Sequence, residues 1–181
     1  MPIINHWLQS AEQLSSPHFT ARSCPPDTLV IHCMSLPPGQ FGGSAITDFF
    51  MGRLKATAHP YFAQIASLRT SAHLVIQRTG TVLQFVAFDQ QAWHAGISRL
   101  GNRTHVNEFS IGIELEGLPN LHFTQAQYQQ LIRITQQLLV HYPEISAERI
   151  VGHCDIAIER GKIDPGNCFD WNLYLNALQS N

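Results

Sequence analysis

Five hydrophobic stretches along the chain predict the strands of a sheet. The first, TLVIHC (residues 28–33), is rich in β-branched residues and follows a Pro-Pro-Asp turn. SAHLVIQ and VLQFVAF flank Arg78–Thr81, a spacing typical of a hairpin. In FSIGIELEG, apolar residues alternate with a glycine, Glu114 and Glu116, which is the period-two pattern of a strand with one buried face. ERIVGH, near the end of the chain, predicts a further strand.

The strongest helical pattern lies between these strands, over Gln125–His141. Apolar residues recur there at helical spacing, so one face of the helix should be buried. Thr124 precedes the pattern and Gln127 lies three residues later, the arrangement of a capping box. Shorter helices are predicted from about Ser44 and over Asp170–Gln179.

Strands and helices in this order predict an α/β fold. We expect residues 1–181 to form one domain, in which α-helices flank a mixed central β-sheet that is largely antiparallel in its middle. The stretch around Pro60, by contrast, is predicted to be irregular. Neither an internal repeat nor a flexible linker divides the sequence.

Composition narrows the classes of function. The 181 residues are 44% hydrophobic and 13% charged, and no apolar run approaches the roughly eighteen residues of a membrane span. A net charge of -2 without a basic run argues against a nucleic-acid partner. The N-terminal stretch lacks a signal-peptide pattern and the four cysteines form no CxxC pair, so we expect a cytoplasmic protein, and a monomer. Ten histidines against eleven Lys and Arg favour a metalloenzyme.

Two histidines stand at the predicted ends of strands, His32 after LVI and His153 after IVG. Strand ends in α/β sheets commonly open onto one crevice, so these side chains are candidate ligands of a catalytic zinc, which usually takes three protein ligands from His and carboxylate. Asp155 and Asp164 compete for the third position. Residue chemistry alone leaves the choice between these two acids open.

Two further residues suit the attack of water on a carbonyl group. Lys162 lies two residues before Asp164, so in extended backbone its ammonium would lie beside the metal and stabilise an oxyanion. Glu114 is a carboxylate in an apolar strand, and its desolvation would raise its pKa toward that of a useful base. The ordinary alternatives are a solvated lysine and an outward-facing glutamate.

The main rival chemistry is that of a cysteine hydrolase. Cys33 and Cys154 each follow a histidine, as a cysteine hydrolase would use, but neighbours in a strand point to opposite faces, so neither thiol is placed to meet the imidazole next to it. His73 and His94 are predicted to be structural, although His94 follows a tryptophan and could line a cleft.

Seven motifs in register resemble a known family. These motifs are IHCMSLPPGQFGG, AHPYFAQIA, LRTSAHLVI, AWHAG, FSIGIELEG, GHCDIA and KIDPG. Together they are similar to the zinc-dependent N-acetylmuramoyl-L-alanine amidases, and in particular to the cytoplasmic AmpD type, which acts on 1,6-anhydro-N-acetylmuramyl-L-alanine. The resemblance covers the chain from about Ser16 to Trp171. It implies hydrolysis of the lactyl-L-alanine amide of muropeptides, and the rival in this family is a peptidoglycan-binding module without catalysis.

The resemblance also implies roles for eight residues of this chain. It implies one Zn²⁺ with the ligands His32, His153 and Asp164, and it leaves Asp155 outside the ligand set. Glu114 matches the catalytic glutamate of the family and Lys162 matches its catalytic lysine. The positions that line the substrate cleft are matched by Tyr61, Arg69 and Trp93. The chain departs from its relatives at Cys33, where they have asparagine, and at His105, where they have arginine.

Overall fold

The computed structural model describes residues 2–179, and its elements follow most of the predicted order. The strands are β1 (Ile3–Ile4), β2 (Trp7–Leu8), β3 (Glu12–Gln13), β4 (Phe19–Ala21), β5 (Thr28–Met34), β6 (Leu74–Ile76), β7 (Val82–Gln84), β8 (Gln90–Ala92), β9 (Arg99–Leu100), β10 (Arg103–Thr104), β11 (Ser110–Glu116) and β12 (Ile150–Gly152). The α-helices are α1 (Ala45–Phe50), α2 (Pro60–Ile65), α3 (Gln125–His141), α4 (His153–Ile156) and α5 (Trp171–Gln179).

Six of these strands form the central sheet, in the order β12-β5-β11-β6-β7-β3. The predicted hairpin is present, since β6 and β7 pair antiparallel. The expectation that the middle of the sheet is largely antiparallel is wrong, because β5 pairs parallel with both β11 and β12, and β11 pairs parallel with β6. Parallel neighbours need long crossover connections, and α3 lies in the connection from β11 to β12. The mixed sheet flanked by helices is confirmed.

Helix α3 has the predicted bounds because its caps are local. The Thr124 hydroxyl accepts a hydrogen bond from the Gln127 amide at 3.1 Å, and the Gln127 side chain accepts one from the Thr124 amide at 3.0 Å. The predicted final helix begins one residue later, at Trp171, because the Asp170 carboxylate accepts from the Leu173 amide at 2.9 Å.

Helix α2 corrects the expectation of an irregular stretch. Pro60 is its first residue, a position where proline loses no intrahelical hydrogen bond, and the preceding His59 ring accepts from the Tyr61 amide at 3.1 Å. Short strands before Thr28 and between Phe88 and Phe109 are also additions to the prediction.

The two faces of the sheet pack against different layers. Ile31, Ile113 and Leu115 belong to a fully buried cluster with α3 and α5. On the opposite face, Val75 and Leu83 pack with Phe49, Phe50 and Phe62 from α1 and α2. Strand residues alternate between faces, so the polar residues that alternate with Ile31 and Ile113 point away from α3. Within residues 2–179 the structure contains no helix with the length and apolar character needed to cross a membrane.

Candidate active site

The parallel pairing of β5 and β11 brings His32 and Glu114 together. In that ladder the Cα of Glu114 lies opposite the Cα of His32, so the two side chains emerge as neighbours on the face away from α3. His32 is 1% exposed and Glu114 is half-buried. The ends of two central strands therefore form the floor of the site.

His153 and Asp164 complete the floor from the other side of β5. The sequence predicts His153 as the last residue of a strand. In the structure β12 ends at Gly152, and His153 is instead the first residue of α4. The amide of Cys154 donates to the backbone carbonyl of Asp164 at 2.9 Å, which ties the returning loop to the start of α4. The Asp164 carboxylate oxygen Oδ2 then lies 3.3 Å from His32 Nδ1 and 3.0 Å from His153 Nδ1.

These three side chains fit a metal ion. One ligand atom from each lies within 4.8 Å of the others. The Nε2 atom of each ring has a partner elsewhere, 3.3 Å from the Ala95 carbonyl for His153 and 2.9 Å from His94 Nδ1 for His32. Two imidazole Nδ1 atoms and a carboxylate oxygen thus converge, and such a set can hold a cation. Two histidines and one carboxylate match the donors of catalytic zinc sites.

The pKa shifts of His32 and Asp164 agree with roles as metal ligands. Burial lowers the pKa of His32 to about 4, so its imidazole is neutral and able to act as a ligand. Burial by itself would raise the pKa of Asp164, but the contacts with His153 and His32 outweigh it and hold that pKa well below its usual value. Asp164 is therefore a carboxylate at neutral pH.

The competing acid, Asp155, lies outside this group. Its side chain is exposed, and its Oδ2 accepts a hydrogen bond from the Gly152 amide at 2.7 Å. That bond closes the first turn of α4. Of the two acids that residue chemistry left open, the geometry groups Asp164 with the histidines.

Glu114 and Lys162 face the same space as Asp164. Glu114 Oε2 is buried, and it lacks a hydrogen-bond partner among the residues the structure describes. Burial raises the pKa of Glu114 well above its usual value, the negative charge of Asp164 adds to the shift, and the positive charge of Lys162 opposes it. A carboxylate with a raised pKa and a free oxygen can accept and return a proton.

A cavity of about 550 Å³ opens above this floor. Glu114, His153, Lys162 and Asp164 line it, and so do the three residues predicted to bind substrate. Those three are Tyr61 in α2, Arg69 beyond that helix and Trp93 after β8. All eight predicted site residues therefore lie at or directly beneath one cavity.

Three further polar residues line this cavity, and two of them, Asn107 and Arg160, are not predicted from the sequence. His94, which the sequence predicts to be structural but able to line a cleft, is 8% exposed, lines the cavity and contacts His32. The Asn107 side chain accepts from the amides of His94 and Ala95 at 3.1 and 2.8 Å, and Arg160 donates to the Ala95 carbonyl at 2.9 Å. The AWHAG motif, with a histidine among small residues, was the available signal for His94.

The two thiols beside the ligand histidines do not suit catalysis. The Cys33 thiol donates to the Pro165 carbonyl at 3.6 Å, and burial raises its pKa. Burial also raises the pKa of Cys154 to about 11. Because the thiolate is the nucleophile, both residues are inert at neutral pH, and the geometry gives no support to a cysteine hydrolase.

Comparisons with known proteins match nearly the whole chain. Residues 22–167 match the family model described as N-acetylmuramoyl-L-alanine amidase. The 1,6-anhydro-N-acetylmuramyl-L-alanine amidase AmpD of Haemophilus influenzae is 50% identical over 174 residues, which cover 95% of this chain and 94% of the relative. The protein of that name from Escherichia coli K12 is 52% identical over 167 residues, covering 91% of this chain and 90% of the relative.

A solved structure gives the same result for the fold. The crystal structure of a selenomethionine AmpD derivative superposes with a TM-score of 0.95 at 49% identity, covering 98% of this chain and 99% of that chain. The resemblance predicted from seven motifs is thereby confirmed. By its sequence and its fold, this chain belongs to the N-acetylmuramoyl-L-alanine amidase family of hydrolases.

Proposed function

We propose that this protein hydrolyses the amide bond between the lactyl group of 1,6-anhydro-muramyl sugars and L-alanine, with one Zn²⁺ held by His32, His153 and Asp164. The products are a free stem peptide and an anhydro-muramyl sugar, as expected of an enzyme that recycles cell-wall fragments. The observation that carries the proposal is the convergence of three ligand atoms within 4.8 Å beneath a cavity lined by a carboxylate with a buried, unpaired oxygen. A module that only bound peptidoglycan would have no use for that carboxylate.

Glu114 acts as the base and then as the acid. Glu114 lines the cavity and has an oxygen without a hydrogen-bond partner among the described residues, so its carboxylate can take a proton from the attacking water. The raised pKa of Glu114 lets the same group return that proton to the leaving amine of L-alanine. Both proton transfers therefore use one side chain, which the rigid strand β11 holds in place.

Lys162 stabilises the negative charge that develops on the amide oxygen. Its ammonium faces the same cavity as Glu114 and Asp164, so the charge forms within a preorganised electrostatic environment. The zinc ion, when bound, supplies Lewis-acid chemistry, polarising the amide carbonyl and making water a better nucleophile.

The cavity walls give the substrate its orientation. Tyr61 and Trp93 offer aromatic surface, which suits the apolar face of a sugar ring, and Arg69 offers a guanidinium for a carboxylate of the stem peptide. His105, where relatives have arginine, is exposed and has no guanidinium to pair with a carboxylate. We therefore assign Arg69 the larger share of carboxylate binding in this chain.

We place the reaction in the cytoplasm, where imported wall fragments rather than intact wall would be the substrate. The four cysteines are all free thiols, as a reducing compartment favours. The monomeric state stays a prediction.

The test is incubation of zinc-loaded protein with a purified anhydro-muropeptide, followed by mass spectrometry of the products. We expect two products whose masses add up to those of the substrate and one water, and no cleavage after chelation of the metal. The matched control is the same stem peptide without the sugar, which contains no lactyl amide. Binding of the substrate without cleavage by zinc-loaded protein would instead support the non-catalytic module.

A further inference from the structure

We propose that His94 is a positioning residue for the metal site: it holds the proton of His32 on Nε2, so that the Nδ1 lone pair of His32 faces the metal. The inference rests on the proposed zinc site and adds to it a residue that orients a ligand without touching the metal. The assignment comes from a short chain of hydrogen bonds that leads from a backbone carbonyl to His32.

The chain begins at Ser110, the first residue of β11. Its hydroxyl oxygen lies 2.7 Å from the Val106 carbonyl and 3.2 Å from His94 Nε2. A carbonyl can only accept, and a serine hydroxyl has one proton, so that proton belongs to the shorter contact with Val106. The Ser110 oxygen can then only accept from His94, and this assigns the His94 proton to Nε2.

The next hydrogen bond joins His94 to His32, and the tautomer of His94 determines which of the two donates. With its proton on Nε2, neutral His94 presents a lone pair at Nδ1, and this atom lies 2.9 Å from His32 Nε2. His32 must therefore donate from Nε2. A neutral imidazole has one proton, so His32 Nδ1, which lies 3.3 Å from Asp164 Oδ2, keeps its lone pair for a cation.

The sequence makes room for His94 by placing a glycine beneath it. A Cβ atom at Gly112 would lie 2.4 Å from His94 Cγ, a distance that two carbon atoms do not tolerate. Gly112 follows Ser110 by two residues and precedes Glu114 by two, so all three share one face of β11. In the pattern Ser-x-Gly-x-Glu, the serine thus accepts the hydrogen bond from His94, the glycine leaves space for the His94 ring, and the glutamate supplies the catalytic carboxylate.

The backbone beside His94 holds the second histidine ligand in the same manner. Asn107 Oδ1 accepts from the amides of both His94 and Ala95, which fixes this segment. The Ala95 carbonyl lies 3.3 Å from His153 Nε2 and accepts from Arg160 as well. Each ligand histidine therefore faces an acceptor at Nε2, a neutral imidazole for His32 and a carbonyl for His153. Outer partners of this kind set ligand orientation and basicity.

The first test measures zinc affinity by competition with a chromophoric chelator, in His94→Leu and His94→Asn. Leucine removes the acceptor, so we expect zinc affinity to fall about 10- to 100-fold. Asparagine places an oxygen near the position of Nδ1, so it should restore most of the loss. Equal affinity of wild-type protein and His94→Leu would overturn the proposal, and so would equal weakening by both variants.

His73 offers a matched control. It is also fully buried, its ring centroid lies 5.8 Å from that of His94, and its Nδ1 accepts from the Gly112 amide at 3.0 Å. His73→Leu should lower stability yet leave the zinc affinity of the folded protein within about threefold. A loss in His73→Leu as large as that in His94→Leu would mean that general damage to the core explains both, and the proposal would fail.

The second test reads the proton directly, by imidazole ¹⁵N–¹H NMR of the metal-free protein. We expect the His94 proton on Nε2; a proton on Nδ1 would reverse the chain of hydrogen bonds and overturn the inference. This result does not depend on the proposed function. Wild-type protein that binds no zinc would defeat the proposed function, whereas intact zinc binding with the wrong His94 tautomer would defeat only the role of His94.

Discussion

The surroundings of Glu114 and Glu116 differ although the two residues are on the same face of one strand. Glu116 is 3% exposed and both its oxygens have partners, the Gly42 amide at 2.5 Å and the Arg78 amide at 3.1 Å. Glu114 lines the cavity, and one of its oxygens is buried without a partner among residues 2–179. A satisfied carboxylate holds loops together, whereas an unsatisfied one is kept at a cost in stability and is available for chemistry.

The two regions also differ in what lies around them. Glu116 connects the loop before α1 to the β6–β7 hairpin, so its partners are backbone groups of neighbouring turns. Glu114 has as neighbours Asp164, Lys162 and His32, which are ionisable groups of the candidate site. Perturbed acids among such groups are typical of active sites. The comparison predicts that changes near Glu114 affect turnover, and that changes at Glu116 affect folding.

The largest effect is expected from Asp164→Ala, which takes away the carboxylate shared by the two histidines. We expect zinc binding to be lost at micromolar metal and turnover to fall by at least about 1,000-fold, because the Lewis acid is lost. Metal analysis and product assays measure both. The matched control is Asp155→Ala, which removes a helix cap and should cost about 1 kcal/mol of stability while zinc stays bound. Full activity of Asp164→Ala would contradict the site.

Lys162→Met should have the next largest effect. Removal of one group that stabilises an oxyanion typically lowers kcat about 100- to 1,000-fold. Zinc content should be unchanged, since Lys162 is not a ligand in this account. Lys55, which is exposed, provides the control: Lys55→Met should keep wild-type kcat. A Lys162→Met protein with reduced zinc and otherwise normal turnover per zinc would show that its role is structural.

Glu116→Gln tests whether Glu116 stabilises the fold rather than taking part in turnover. An amide keeps one acceptor but turns a donor toward a backbone N–H, so we expect the free energy of unfolding to fall by about 1–3 kcal/mol. Urea denaturation measures the loss. Turnover per folded molecule should remain near that of the wild type; a selective loss of kcat at unchanged stability would break the contrast with Glu114.

The smallest expected effect is that of Glu114 on the free energy of unfolding of the protein after its metal has been chelated. Because burial raises the pKa of Glu114, folded protein holds its proton to higher pH than unfolded protein does. Wild-type stability should therefore fall as pH rises above the ordinary glutamate range, and Glu114→Gln should escape this fall. We expect the variant to be more stable by about 1 kcal/mol at pH 7 and equal near pH 4. Denaturation curves with a gap that does not grow with pH would argue against a raised pKa.

Local features of this fold could be predicted from the sequence. The bounds of α3 follow from Thr124, Gln127 and the spacing of apolar residues, all within one segment. The alternation in β11 correctly set Glu114 apart from Ile113 and Leu115. The parallel pairing of β5 with β11 could not be read in this way, because it depends on how long crossovers return to the sheet.

The residues of the candidate site, like the fold, could be predicted from the sequence only in part. Residue chemistry proposed His32 and His153 but left Asp155 and Asp164 open, and the family motifs were needed to choose between them. The reason is that Asp155 is satisfied by the nearby Gly152 amide, a contact that exists only once α4 has formed. The contacts of His94 are with Ser110 and His32, which lie on two different strands, so the AWHAG motif points to this histidine without predicting its role.

The most direct test of the contrast between the two glutamates is the turnover of Glu114→Gln measured together with its zinc content. We predict one zinc per chain and a kcat on anhydro-muropeptide lowered about 100- to 10,000-fold, the range expected for loss of a general base. Glu116→Gln assayed beside it should turn over at nearly the wild-type rate. Zinc-loaded Glu114→Gln with wild-type kcat would contradict the central claim that this unpaired carboxylate performs the proton transfers.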